Sequence, residues 1–175
     1  MTIDSSHSTL GMGISFALSA PFAWRVASGE LTAQQCEENE QLLRLILALE
    51  EYPPEHSEEL ATLDFKLNII MELLGDLLTH QLDLPATVSL RLGATELVWT
   101  DAGNLPAMGE YIELSIYLHH TIPRPLRLCG RVTGVEAEHC HVELDALPEG
   151  LQDLFEKYIF THHRREVAHA RHSQS

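Results

Sequence analysis

Several groups of side chains in this 175-residue chain have types and spacing that invite a chemical reading. His139, Cys140 and His141 are consecutive. On a strand the two imidazoles share a face and the thiol points the other way, so two ligands converge where a metal site needs three or four. They read as exposed strand histidines. His119 and His120 precede Pro123 and read as loop, while His162, His163, His169 and His172 read as a solvated tail. Cys36 lies among glutamates, which raise a thiol pKa and leave the sulfur unreactive. No G-x-S-x-G elbow and no P-loop is present. The carboxylates between residues 37 and 59 read as one face of a solvated helix. No enzyme, metal or cofactor is expected from these residues.

Charge limits the partners. The formal net charge is −15, which disfavours nucleic-acid polymers and anionic membrane surfaces, both of which recruit basic protein faces. From Glu30 to Asp64 the chain is Glu-rich, with Arg44 as its only Arg or Lys. Three widely spaced cysteines, Cys36, Cys129 and Cys140, give neither a disulfide framework nor a CxxC zinc pair, so a reducing, cytoplasmic setting is expected. Leu10–Trp24 is apolar, but Asp4 precedes it, no Lys or Arg does, and Pro21 interrupts it. It reads as mature protein, a strand or arm, and not as a signal peptide. No segment is long enough to span a bilayer, so membrane insertion is not expected. Trp24 and Trp99 read as core.

The elements that must position these residues follow from periodicity. A first helix is predicted over about Glu30–Glu51, with Leu42, Leu45, Ile46 and Leu49 on one face, stopped by Pro53-Pro54. A second is predicted over residues 57–84, with Ser57 as N-cap and Pro85 as its end. Leu60, Leu63, Leu67, Ile70, Leu74, Leu77, Gln81 and Leu84 take the a and d positions of a heptad. Its flanks start charged, with Glu59, Asp64 and Lys66, and turn apolar at Met71, Leu73 and Leu78. A stripe that wide wants more than one neighbour. The first helix is expected to cover one side as a hairpin and a second copy of the chain the other. The predicted oligomer interface is Leu60, Leu63, Leu67, Ile70, Met71, Leu74, Leu77 and Leu78, with a tetramer as the first expectation.

Beyond residue 86 the period changes to two. Ile112/Leu114/Ile116/Leu118, Leu126/Leu128/Gly130/Val132 and Cys140/Val142/Leu144 each alternate with more polar residues, as half-buried strands do. Gly103, Gly109 and Gly134 are placed in turns. A last helix over residues 148–166 presents Leu151, Leu154, Phe155, Tyr158 and Ile159 to one end of a small antiparallel barrel. The expected fold class is α+β. Its parts are an N-terminal strand or arm (1–29), a helical hairpin (30–84), a barrel with its C-terminal helix (85–166) and a flexible tail (167–175).

The order of the C-terminal elements resembles the PilZ domain, a bacterial barrel that acts as a cyclic di-GMP receptor. The resemblance covers about residues 86–166. It rests on "RLGATELVW" (91–99), Gly109-Glu110 before "YIELSIYL", Pro125 to Val132, "HVELDALPEG", and Tyr158-Ile159-Phe160 with His163-Arg164-Arg165-Glu166. In PilZ domains a D/N-x-S-x-x-G motif and an upstream R-x-x-x-R hold the nucleotide. At the motif's D/N, S and G positions this chain has Arg91, Gly93 and Glu96, and no R-x-x-x-R precedes residue 86. Arg127 and Arg131 have that spacing but fall on a later strand. The resemblance therefore implies an atypical PilZ domain with a degenerate nucleotide motif. The expected function is that of a non-catalytic adaptor in cyclic di-GMP-linked signalling, working by oligomerisation and contact with an unidentified signalling protein. The alternative is a cyclic di-GMP receptor using nonstandard residues such as Arg91, Arg124 or Arg164/Arg165.

Overall fold

The computed structural model describes residues 13–50, 58–101 and 103–172. Six antiparallel strands close into a barrel. They are β1 (Ser15–Val26), β2 (Thr87–Gly93), β3 (Glu96–Thr100), β4 (Tyr111–Ile116), β5 (Leu126–Glu136) and β6 (His139–Leu144). Their order around the barrel is β1-β2-β3-β6-β5-β4. Three helices join them: α1 (Ala33–Glu50), α2 (Glu58–Gln81) and α3 (Glu149–His172).

Alternation puts Ile112, Leu114, Ile116, Leu126, Leu128, Val132, Cys140 and Val142 inside, all buried. Gly134 is not in a turn. It lies within β5 where the register with β6 shifts, and the tight turn after β5 uses Ala137 at φ 52°. Gly109 does turn the chain, at φ 81°.

The N-terminal segment is a barrel strand and not a separate arm. Ser15–Pro21 pair with β2 and Phe22–Val26 with β4, so β1 closes the sheet and the barrel begins well before residue 85. Pro21 sits at the exchange of partners, where a missing backbone N–H is tolerated. Trp99 is fully buried against Phe22, with ring centroids 5.0 Å apart. Trp24 is only half-buried and donates its indole N–H to Asn104 O at 2.9 Å.

α1 starts at a capping box. Thr32 Oγ1 accepts from the Gln35 amide, and Gln35 Oε1 accepts from the Thr32 amide. Its buried face is Asn39, Leu42, Leu43, Ile46 and Leu47, rotated from the predicted one, and Leu45 is exposed. This face packs on β5 and α3. The expected hairpin with α2 is therefore corrected: α1 already has its apolar neighbours in the barrel domain.

α3 caps the barrel with Leu151, Phe155, Tyr158 and Ile159, and continues to His172. Residues 167–172 are helix, not tail. His162 and His163 are also part of the fold. The His162 ring stacks on Phe16 at 4.8 Å, and its Nε2 lies 3.1 Å from Glu50 Oε1. His163 Nδ1 lies 2.7 Å from Ser15 O. Arg165 reaches the other Glu50 oxygen at 2.8 Å, so the end of α1 is clipped to α3.

Candidate functional site

Two features are candidates for function: one mouth of the barrel and the helix α2. The mouth lies where the turn from β2 to β3 faces the start of β1 and the outer side of α3. A cavity of about 520 Å³ opens there, lined by Gly13, Ile14, Gly93–Glu96, Asp153, Glu156, Lys157, Ile159 and Phe160. Gly93 and Glu96, two of the three degenerate motif positions, are on its wall. The third, Arg91, is directed elsewhere: it donates to Ser15 Oγ at 3.1 Å and faces Glu166 at 3.4 Å. Glu96, Asp153 and Glu156 supply three carboxylates to the lining against the one ammonium of Lys157.

Of the other candidate arginines, Arg164 alone borders the mouth, through Phe160. Arg165 is held by Glu50, and Arg164 lies over the Phe160 ring at 5.8 Å. Arg124 stands in the loop between β4 and β5. Arg127 and Arg131 have structural partners. Arg127 pairs with Glu38 at 2.7 Å, and Arg131 donates to Gly109 O at 2.8 Å.

α2 has little cover of its own. Leu63, Leu67, Ile70, Met71, Leu74, Leu77 and Leu78 are each between 36% and 59% exposed. Leu60 is on α2 with its side chain outside the described residues, as is all of Ser57. Leu84 follows the helix end and is half-buried. Among the described residues of α2 the buried position is Gly75, which touches the loop between β4 and β5. A Cβ at residue 75 would lie 2.7 Å from Thr121 Cα. In that loop the His119 and His120 rings stack at 4.8 Å. Burial first and the charge of His120 second hold His119 below the ordinary histidine range.

The remaining candidate groups are placed for packing. Cys140 is buried while His139 and His141 face outward, and His139 Nδ1 lies 3.0 Å from Thr100 Oγ1. Burial pushes the Cys129 and Cys140 thiols up to about 11 and raises Cys36 as well. Among the described residues no group of three or more His, Cys, Asp or Glu is arranged to hold a metal ion, and no helix is long and apolar enough to cross a membrane.

The sequence reading named Gly93 and Glu96 but missed Ile14, Phe160, Asp153 and Glu156, which complete the mouth. For α3 the signal was present. Asp153, Glu156 and Phe160 recur at helical spacing on the side opposite the buried residues. Ile14 carried none, because the pairing of β1 with β2 was not visible.

Comparison with known proteins bears on both features. A search of curated protein sequences gives no match. Among solved structures, a tetrameric PilZ-domain protein from Xanthomonas campestris, self-assembled through a helical bundle, is similar at 22% identity. The match covers 89% of this chain and 90% of that one, with a TM-score of 0.67. The Bacillus subtilis inhibitor of motility (MotI/DgrA) is matched over 47% of this chain and 43% of its own, at 17% identity and a TM-score of 0.35. The first likeness shows the fold, a PilZ barrel with added helices. A family model described as "atypical PilZ domain, cyclic di-GMP receptor" matches residues 46–172, from the end of α1 through α3. On that match, which takes in α2 as well as most of the barrel, the chain belongs to the atypical PilZ domain family.

Proposed function

We propose that this chain is a non-catalytic adaptor in bacterial cyclic di-GMP-linked signalling that self-assembles through α2, as a tetramer, and does not itself bind the nucleotide. The carrying observation is the exposed apolar surface of α2, the seam together with Phe65, Ile69 and Leu73 beside it. Ten large apolar side chains between Leu63 and Leu78 are at least a third exposed. A fully buried side chain of this kind contributes about 1.5–3 kcal/mol. Covering ten that are roughly half exposed therefore yields a gross gain of order 10 kcal/mol per chain. That is enough to offset an association cost of about 4–15 kcal/mol once two or more chains contribute. A self-assembling helical bundle in the Xanthomonas campestris neighbour is consistent with this use of the helix.

The mouth supports the second half of the proposal. Cyclic di-GMP carries two phosphate charges, and PilZ domains pair them with arginine. Here Arg91 faces Glu166 and three carboxylates line the cavity. Each missing charge-assisted contact costs about 1.5–3 kcal/mol, and two of them weaken binding by roughly 10²–10⁴. The unpaired thiols of Cys36, Cys129 and Cys140 suit a cytoplasmic protein.

Light scattering tests the assembly. A mass several times 19.6 kDa is expected, falling to one chain in the Leu67→Glu/Leu74→Glu double variant with the barrel still folded. A monomeric wild type at working concentration refutes the proposal. The family description favours the alternative of a receptor with nonstandard contacts. Calorimetric titration with cyclic di-GMP separates the two, and saturable low-micromolar binding establishes the receptor.

A further inference from the structure

We infer that the cavity at the barrel mouth is a docking site for a basic, apolar-anchored segment of a partner protein. This rests on the adaptor reading above and names the chemistry of the partner. The cavity, at about 520 Å³, is within the size range of sites that hold a small ligand or a few side chains. Its walls are of two kinds. Ile14 and Phe160 are 51% and 48% exposed at the opening, with buried Ile159 between α3 and the barrel. Around them stand Glu96 from β3 and Asp153 and Glu156 from α3, against Lys157 on the lining and Arg164 beside the Phe160 ring. Glu156 takes one hydrogen bond from Gln152 at 2.8 Å.

Charge selects the occupant. An anion, whether a nucleotide phosphate, a lipid headgroup or a nucleic acid, meets a net negative rim. A neutral apolar ligand covers Ile14 and Phe160 but strips water from three carboxylates without replacing it. A segment carrying arginine beside an apolar side chain satisfies both. The guanidinium donates to the rim carboxylates, and the apolar neighbour covers the exposed ring and Ile14. Of the chain's own arginines, Arg91 is turned to Ser15 and Glu166, and Arg164 lies over the Phe160 ring, which still stays 48% exposed.

The test is an amide-resolved NMR titration of the full chain with three probes: a capped hexapeptide of alternating arginine and leucine, its glutamate–leucine counterpart, and cyclic di-GMP. The basic peptide is expected to move the amides of Gly93, Thr95 and Lys157 saturably, and the acidic peptide to leave them in place. The Glu96→Gln/Asp153→Asn/Glu156→Gln variant is expected to weaken the basic peptide roughly tenfold or more. Neutralising three carboxylates elsewhere (Glu37, Glu136 and Glu138 to Gln) is expected to leave it unchanged. Phe160→Ala, at an exposed position, is expected to weaken it several-fold with the barrel amides in place. Equal loss in both neutralised variants, shifts spread over the acidic surface, or no saturation overturns the inference. Saturable cyclic di-GMP shifts at the same amides overturn it together with the proposed loss of nucleotide binding. A monomeric mass with peptide binding intact refutes only the assembly part of the adaptor reading.

Discussion

Among the described residues, Asn39 should be the most sensitive polar side chain. It is 1% exposed on α1. Its Nδ2 donates to Arg127 O at 2.6 Å, and its Oδ1 accepts from Arg127 N at 2.9 Å. The reason lies in the sheet. β6 pairs with β5 from Gly130 onward, and Asp145 N just beyond it donates to Cys129 O, so the Leu126–Leu128 end of β5 has β4 on one side and no strand on the other. The Asn39 amide, donating one N–H and accepting at its oxygen, stands in for the missing strand. Asn39→Ala leaves a covered N–H and a covered C=O unpaired, at about 1–3 kcal/mol each, so a loss of roughly 2–6 kcal/mol is expected. At about 3 kcal/mol, a chain of this length loses roughly 6–12 °C in Tm. Asn39→Asp keeps the acceptor, loses the donor and adds charge near Glu38, so it should do no better. Urea and thermal unfolding followed by circular dichroism measure the loss, at one protein concentration because self-association would make stability concentration-dependent. A change under about 1 kcal/mol for Asn39→Ala refutes the strand-substitute account.

Three further outcomes follow. Gly75→Ala places a Cβ 2.7 Å from Thr121 Cα; it should displace α2 from the loop between β4 and β5 and shift the Thr121 amide in NMR, and an unchanged Thr121 signal counts against the contact. Burial pushes Glu50 up, but His162 and Arg165 outweigh it, so its carboxyl sits below the ordinary range. Its contribution is therefore present above the unfolded value of about 4.3 and fades as pH falls below it, and Glu50→Gln should lower neutral-pH stability and flatten the acid limb of the unfolding profile. Alkylation by iodoacetamide near pH 7.5 should modify Cys36 first. Cys129 and Cys140, buried and raised to about 11, should react only after denaturant is added, as mass spectrometry will show.

The strands β4 and β6 were legible because one face is dry and the other wet, and that contrast imprints period two. β5 was legible in part. Cys129 was expected outside, yet it is buried, because α1 and the Gly29 turn cover the outer face there. β1 was obscured by Pro21, which ordinarily ends a strand. Here it marks the corner where pairing passes from β2 to β4. The apolar face of α1 was read a fraction of a turn off, because its most buried polar residue, Asn39, looked like surface until β5 gave it two backbone groups to serve. His162 was assigned to a tail, yet it lies four residues beyond Tyr158 on the same helical face. For the mouth, the changed motif residues Gly93 and Glu96 were visible in the sequence. The cavity was not visible, since three distant stretches of the chain form it.

The geometry of α2 bears on how many copies assemble. At about 100° per residue, three sectors can be drawn around the helix. Gly75 faces the barrel domain. The seam of Leu63, Leu67, Ile70, Met71, Leu74, Leu77 and Leu78 is centred roughly 100° to one side of it. Phe65, Ile69 and Leu73 form a second ridge centred roughly 120° to the other side, and are 66%, 39% and 64% exposed. A dimer through the seam leaves that ridge in water, whereas a bundle gives each helix flanking neighbours that reach both sectors. The two arrangements differ in one measurement. Phe65→Ser/Leu73→Gln should leave a dimer intact if the seam acts alone, and should lower the mass measured by light scattering below that of the wild type if both sectors are used. A tetramer that survives both substitutions confines assembly to the seam and removes the ridge from the interface.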